Sequence, residues 1–146
     1  MEESLSLLDD IKKEFDVDEV DIKTYSPLTL AFIGDCVFDL VIRTIVVGRA
    51  NRQPEKLHKL KANIVKAKTQ ADMAQVLLPD LTEEEVGYYK RGRNAHSYSA
   101  AKNASIGDYR KATGFEALIG FLYLTNQNDR ILELTRLGPE RVEISI

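Results

Sequence analysis

The sequence predicts an all-α protein. Apolar residues recur at three- and four-residue intervals through most of the 146-residue chain. Strand-like alternation is nearly absent. Helix-capping signals stand at the ends of the periodic runs. There is no internal repeat and no low-complexity tract.

The elements follow in order. Residues 4–15 carry Leu8, Ile11 and Phe15 at helical spacing and predict a short amphipathic helix. An acidic link, 16–25, joins it to the next element. Ser26 is a good N-cap, and Pro27 suits a first turn. From Leu28 to Val47 the run is apolar nearly all round, as in a helix at the middle of a bundle, and Gly48 can end it. Pro54 opens a third helix whose stripe is Leu57, Leu60, Ile64, Ala67, Ala71, Ala74 and Leu78, with Pro79 ending it. Thr82-Glu-Glu-Glu85 has the form of a capping box and starts a fourth helix, with Val86 and Tyr89 facing inward. Residues 95–107 lack a period and read as a loop. Asp108 is the expected cap of a fifth helix running to about Thr125. A last helix is expected from Asp129 to Leu137, stopped by Gly138-Pro139, with a loose tail after it.

This length fits one domain with a core of its own. The organisation expected is an acidic extension over 1–25, a helical domain over 26–138 and a short tail over 139–146. Cys36 is the only cysteine, so no intrachain disulfide can form, which fits a reducing cytoplasm. The N-terminus is acidic and lacks the basic start of a signal peptide. No apolar run reaches about 18 residues, so no membrane span is expected. The formal net charge of −3 is unevenly spread. Residues 1–25 hold nine acids against three bases, and residues 49–111 hold thirteen bases against seven acids. A basic middle on an acidic chain is either a solvated helix surface or a local anion-binding face.

Two carboxylates stand in the middle of apolar helices. Asp35 lies in Leu30-Ala-Phe-Ile-Gly-Asp-Cys-Val-Phe-Asp-Leu40, and Glu116 in Gly114-Phe-Glu-Ala-Leu-Ile-Gly120. A buried carboxylate is costly unless paired, hydrogen-bonded or bound to a metal. Gly34 and Gly120 beside them would let two helices, or a substrate backbone, come close. Facing each other, the two acids would make a hard oxygen site of the kind Mg²⁺ prefers. The competing reading pairs Asp35 with Arg43 or another base and leaves Glu116 at a bundle edge. Asp39 either shares the face of Asp35 or pairs with Arg43 one turn on.

No other catalytic set appears. His58 and His96 are not at metal-ligand spacing, and His58 belongs on a polar face. Cys36 reads as an inert core thiol. No Walker or dinucleotide glycine pattern is present. Tyr88-Tyr-Lys-Arg-Gly-Arg-Asn-Ala-His-Ser-Tyr98 gathers bases, amides and hydroxyls at a helix end and loop. It is either a helix C-terminus compensated by bases or a segment whose Arg and Lys neutralise phosphates while Asn94, His96 and Ser97 reach ribose hydroxyls or phosphate oxygens.

Phe32-Ile-Gly-Asp35 resembles the signature helix of the ribonuclease III family. Phe115-Glu-Ala-Leu-Ile-Gly-Phe-Leu-Tyr-Leu124 resembles that family's second acidic helix. The resemblance covers about residues 26–137. Ala31 and Thr113 stand where the family usually has acids, while the two central acids remain as Asp35 and Glu116. That reduced set resembles the Mini-III branch, as do Leu57-His-Lys59, Val65-Lys-Ala-Lys68 with Gln70-Ala71, and Lys90-Arg-Gly-Arg-Asn-Ala95. The chain also ends soon after the nuclease helices, with no room expected for a double-stranded-RNA-binding domain.

The resemblance implies a Mg²⁺-dependent endoribonuclease that cuts double-stranded RNA as a homodimer and trims the stem flanking precursor 23S ribosomal RNA. Asp35 and Glu116 would be catalytic acids and metal ligands. Lys90, Arg91, Arg93 and Asn94 would enter an RNA groove, and Lys66 and Lys68 would meet phosphates. A ribosomal protein on the precursor is an expected aid to recruitment. The missing acids also motivate an alternative, a catalytically silent RNA-binding dimer of the same fold. A third reading is a helical adaptor with the two acids as ion-pair partners. Phe32, Val37, Phe38 and Phe121 are the expected apolar surface of a two-fold interface involving the Asp35 helix.

Overall fold

A computed structural model describes residues 6–49, 53–95 and 105–146. Among them the chain forms seven α-helices: α1 (Leu7–Glu14), α2 (Pro27–Arg49), α3 (Pro54–Val65), α4 (Ala67–Leu77), α5 (Glu83–Arg93), α6 (Ile106–Leu124) and α7 (Asn128–Arg141). Short 3₁₀ turns precede α2 and follow α4. No strand occurs among the described residues, which bears out the all-α reading.

The axis of the bundle is α6, packed against α2, α5 and α4. Its residues from Ala112 to Leu122 are buried apart from Glu116. The all-round apolar sequence is therefore matched by an all-round environment. Phe115 meets Phe38 of α2 edge to face with ring centroids 5.1 Å apart, and Phe121 stacks on Tyr88 of α5 at 3.9 Å.

The contact between α2 and α6 is backbone on backbone. A Cβ added to Gly34 would lie 1.8 Å from the carbonyl oxygen of Glu116, and one added to Gly120 would lie 2.0 Å from that of Leu30. The two glycines thus permit the close approach anticipated for them.

Several caps match expectation. Ser26 Oγ accepts from Thr29 N at 3.1 Å. Thr82 and Glu85 close a full capping box. Glu85 is buried and receives both Nε and Nη2 of Arg130, at 2.9 and 2.8 Å. Burial pushes the Glu85 carboxyl up, but the hydrogen bonds of Arg130 and the Thr82 backbone prevail and hold it below its usual range.

Other expectations need correction. The single helix expected from Pro54 to Leu78 is two, broken at Lys66, whose ψ is 154°. Side chains stitch the break: Thr69 Oγ1 donates to Asn63 O at 2.8 Å, and Gln70 Nε2 donates to Val65 O at 2.6 Å. They satisfy carbonyls that the end of α3 leaves open. Leu60, assigned to the stripe, is exposed. The cap of α6 is Ser105, which accepts from Asp108 N at 3.0 Å, and Asp108 sits in the first turn. Most of the expected 95–107 loop lies outside the described residues.

Gly138-Pro139 does not stop α7, which runs on to Arg141. It ends in a Schellman motif: Ile144 N donates to Pro139 O at 2.8 Å and Glu143 N to Glu140 O at 3.2 Å, with Glu143 at φ 60°. The tail is not loose, since Val142, Ile144 and Ile146 pack on the core. The same motif ends α6 at Asn126 (φ 58°), and α1 closes at Asp16 (φ 51°) with the longer of the two bonds, from Val17 N to Lys12 O. In the stripe expected on α1, only Leu8 is buried, while Ile11 and Phe15 are exposed. Asn126 bonds Ser6 and Asp9 and ties the start of α1 to the turn between α6 and α7.

Candidate active site

The crossing at Gly34 and Gly120 brings Asp35 and Glu116 together on the wall of an open cleft of about 480 Å³. Phe32, Cys36, Asp39, Tyr109 and Thr113 line it with them. Asp35 is not buried, as its helix context implied. It is exposed to the cleft, because α2 is covered on its other faces only. Cys36 is likewise exposed rather than a core thiol. Asp39 shares the cleft and also pairs with Arg43 at 2.9 Å and Lys61 at 3.3 Å, so both readings of it hold.

Glu116 is half-buried, and its carboxyl is pushed up to about 8. Burial is the main cause. The charge and hydrogen bond of Asp35 add to it, and the Gln70 amide opposes it. Among the described residues no lysine, arginine or histidine forms an ion pair with either acid. The pairing of Asp35 with Arg43 is therefore not found.

Two facing carboxylates with no cationic partner, opening on a cleft, fit a hard divalent cation. Among the described residues no group of three or more His, Cys, Asp or Glu is placed to hold a metal ion together, and Asp39, the other acid of the cleft, is paired with Arg43 and Lys61. Thr113, one turn before Glu116, uses its hydroxyl on the Tyr109 carbonyl at 3.0 Å.

The basic residues singled out in the sequence stand around these helices in different states. Lys66 is exposed at the break between α3 and α4. Lys68 is exposed and holds Asp72 at 3.1 Å, and that hydrogen bond raises its pKa. Lys90 and Arg91 are exposed at the end of α5. Arg91 lies over the Tyr88 ring at 5.3 Å and reaches the Tyr25 carbonyl at 3.4 Å. Arg93 lies over the Tyr89 ring at 5.8 Å and donates to Asn94 Oδ1 at 3.3 Å, so these two are partly engaged within the fold. His58 is exposed, as expected of a polar face, and His96 lies outside the described residues.

Gln70 was not among the expected site residues. It is 2% exposed, and its Oε1 is buried without a hydrogen-bond partner. A signal existed, because Gln70 stands beside Ala71 and Ala74 on the buried small-residue face of α4.

An all-helical domain with an acidic pair where its two central helices cross can be compared with known proteins. A model of the ribonuclease III domain matches residues 28–127. The chain belongs to the ribonuclease III family and has the character of an endoribonuclease of that family. Within the family its relatives are Mini-ribonuclease 3 proteins. It is 46% identical over 119 residues to that of Clostridium tetani, covering 80% of this chain and 78% of the relative. It is 48% identical over 118 residues to that of Brevibacillus brevis, covering 81% and 88%. A crystal structure of protein FN1578 from Fusobacterium nucleatum superimposes with a TM-score of 0.75 at 30% identity, covering 84% of this chain and 98% of that one.

Proposed function

We propose that the protein is a Mg²⁺-dependent endoribonuclease that hydrolyses double-stranded RNA as a homodimer and matures the stem of precursor 23S ribosomal RNA. The observation that carries the reading is the facing pair Asp35 and Glu116, in which burial and then the Asp35 charge push the Glu116 carboxyl up to about 8, and which has no cationic partner among the described residues. Asp35 and Glu116 would hold the cation and are the catalytic acids. The ion would supply a Lewis acid for the scissile phosphate and lower the pKa of an attacking water. Hydrolysis joins the water oxygen to phosphorus and breaks one phosphorus–oxygen ester bond, and the departing sugar oxygen takes up a proton.

Lys66, Lys68, Lys90, Arg91, Arg93 and Asn94 are the proposed RNA contacts. Lys66 and Lys90 present exposed charge. Arg91 can leave its weak carbonyl contact for a phosphate. Binding through such contacts is expected to fall steeply with salt. A ribosomal protein on the precursor and a cytoplasmic setting complete the proposal. No described helix is long and apolar enough to cross a membrane.

The expected dimer surface changes in content. Val37, Phe38 and Phe121 are buried within the subunit, because the crossing of α2 with α6 consumes them. Phe32, 81% exposed, together with Leu28, Leu40 and Val47, is the apolar surface left on α2. The two-fold interface is proposed there.

The test offers purified protein an RNA duplex, the same duplex in DNA, and single-stranded RNA, each with Mg²⁺ and with EDTA. Cutting of the RNA duplex alone, only with Mg²⁺, and its loss in Asp35→Asn and Glu116→Gln, is expected. A folded dimer that binds the duplex and never cuts would favour the silent RNA-binding alternative, which Ala31 and Thr113, standing where the family usually has acids, motivate.

A further inference from the structure

One turn past Asp35, Asp39 holds two cations. Its Oδ2 accepts from Arg43 Nε at 2.9 Å, and its Oδ1 lies 3.3 Å from Lys61 Nζ of α3. The second is a charge contact without a hydrogen bond, because Oδ1 is buried and has no hydrogen-bond partner. The Lys61 side chain is only 19% exposed, and among the described residues its ammonium donates to no acceptor. Three donors kept from water and unfilled are costly. Arg43 gives Asp39 its Nε alone, and its two terminal nitrogens are not taken up among the described residues.

These side chains line a cavity of about 160 Å³ between α2 and α3. Arg43 comes from α2, and His58 and Lys61 come from one face of α3. Val46 and Leu57 give it an apolar wall, and no acid lines it. Asp39, which stands outside the cavity wall, offsets only one of the two permanent charges.

We propose that Arg43, His58 and Lys61 form a binding site for a phosphate oxyanion, carried on the RNA backbone or as the free ion. The terminal nitrogens of Arg43 match two phosphate oxygens at once, Lys61 meets the charge as a point, and the His58 ring supplies a further N–H. Size selects the ligand: a cavity of about 150 Å³ takes one benzene ring, so a phosphate group enters and a whole nucleotide does not. Place selects the source. Asp39 also lines the cleft of Asp35, and Arg43 follows Asp35 by two turns of α2, about 12 Å along the helix. A duplex held at Asp35 and Glu116 would lay a neighbouring backbone phosphate there. The backbone source rests on the reading of the protein as an RNA-cutting enzyme, and the free ion does not. The competing account is an ion-pair staple between α2 and α3. In a staple Asp39 is the partner that must stay, whereas in a phosphate site it is the competitor.

Binding is measured on the full chain in EDTA. One arm titrates an RNA duplex across a salt series. The other adds inorganic phosphate at constant ionic strength and follows the His58 ring and Arg43 Nε–H signals by NMR. Lys61→Met and Arg43→Gln are expected to weaken duplex binding about tenfold and to lower the salt slope by about one, with circular dichroism unchanged. Asp39→Asn is expected to tighten it. Lys59→Gln, which removes an exposed charge outside the cavity, is expected to cost much less. Should Lys61→Met not fold, Arg43→Gln and His58→Gln, both at exposed positions, decide. Weaker duplex binding in these variants assigns the site to the backbone. Unaltered duplex binding with saturable phosphate shifts that Arg43→Gln abolishes assigns it to the free ion. Unaltered duplex binding with unmoved or linearly drifting signals overturns the proposal, as does an equal loss in Lys59→Gln or a loss in Asp39→Asn. A wild type that binds no duplex at low salt overturns the RNA-cutting reading instead, and the phosphate arm then decides the site by itself.

Discussion

Replacing Glu116 by Gln should make the metal-free protein more stable while destroying its activity. In the folded chain the Glu116 carboxyl titrates near 8, against 4.5 for the ordinary group. Burial is the first cause and the facing Asp35 the second. Between those two values the folded protein holds a proton that the unfolded chain releases. Stability from this group is therefore complete below about pH 4.5 and is lost progressively as pH rises through 8. At about 1.36 kcal/mol per pH unit, the loss by pH 8 is about 4 kcal/mol. For a chain of this size that corresponds to roughly 10 °C in Tm. Thermal melts in EDTA from pH 5 to pH 8.5 should show the wild type falling relative to Glu116→Gln, with the variant ahead at pH 8. Mg²⁺ should recover the wild type at pH 8 and leave the variant nearly unmoved. A Glu116→Gln protein no more stable than wild type at pH 8 without metal would refute the claim that the acid is held against its own charge.

Four further outcomes follow from the packing. Gly34→Ala forces a Cβ against the Glu116 carbonyl, a backbone atom that cannot swing away, so a loss of at least about 3 kcal/mol in urea unfolding is expected. Arg130→Leu leaves the Glu85 carboxylate buried and unpaired at about 3–5 kcal/mol, and the acid-side loss of stability that Glu85 contributes should vanish from the pH profile. Glu143→Gly should stabilise by about 1 kcal/mol in the same assay, because the residue closes α7 in the left-handed region where a Cβ is costly. Phe32→Glu should convert the proposed dimer into a folded monomer by light scattering, and a dimer unaltered by that change would move the interface elsewhere.

What could be read from the chain and what could not divide along physical lines. The central helices α2 and α6 announced themselves because continuous apolar runs with good caps have few other solutions. The glycines announced their crossing, and Thr82 and Glu85 their capping box. Residues whose behaviour depends on a partner far away were harder. Asp35 looked buried because its neighbours in sequence are apolar, yet its own face of α2 opens on the cleft. Val37, Phe38 and Phe121 looked like surplus surface until the crossing of α2 with α6 used them. The break at Lys66 left no trace in the apolar stripe, because Thr69 and Gln70 make it through side-chain bonds that periodicity does not register. Pro139 misled because a proline inside a helix is a strong stop in isolation, whereas here it is buried on the core and α7 continues past it. The three left-handed caps lacked the glycine that would have announced them.

The backbone contact at Gly34 and Gly120 also sets a timetable. Asp35 lies in the first third of the chain and Glu116 in the last third, and neither carboxylate finds the other until the intervening helices have been made and the chain between them has closed on itself. During synthesis α2 leaves the ribosome long before α6 does. A growing chain surrounded by ribosomal RNA thus carries half of an acidic pair and nothing to complete it. Under the proposed role of the pair, the capacity to cut would arrive only with the last helices, and the same crossing that holds the two acids together would keep an unfinished chain inactive beside the ribosome.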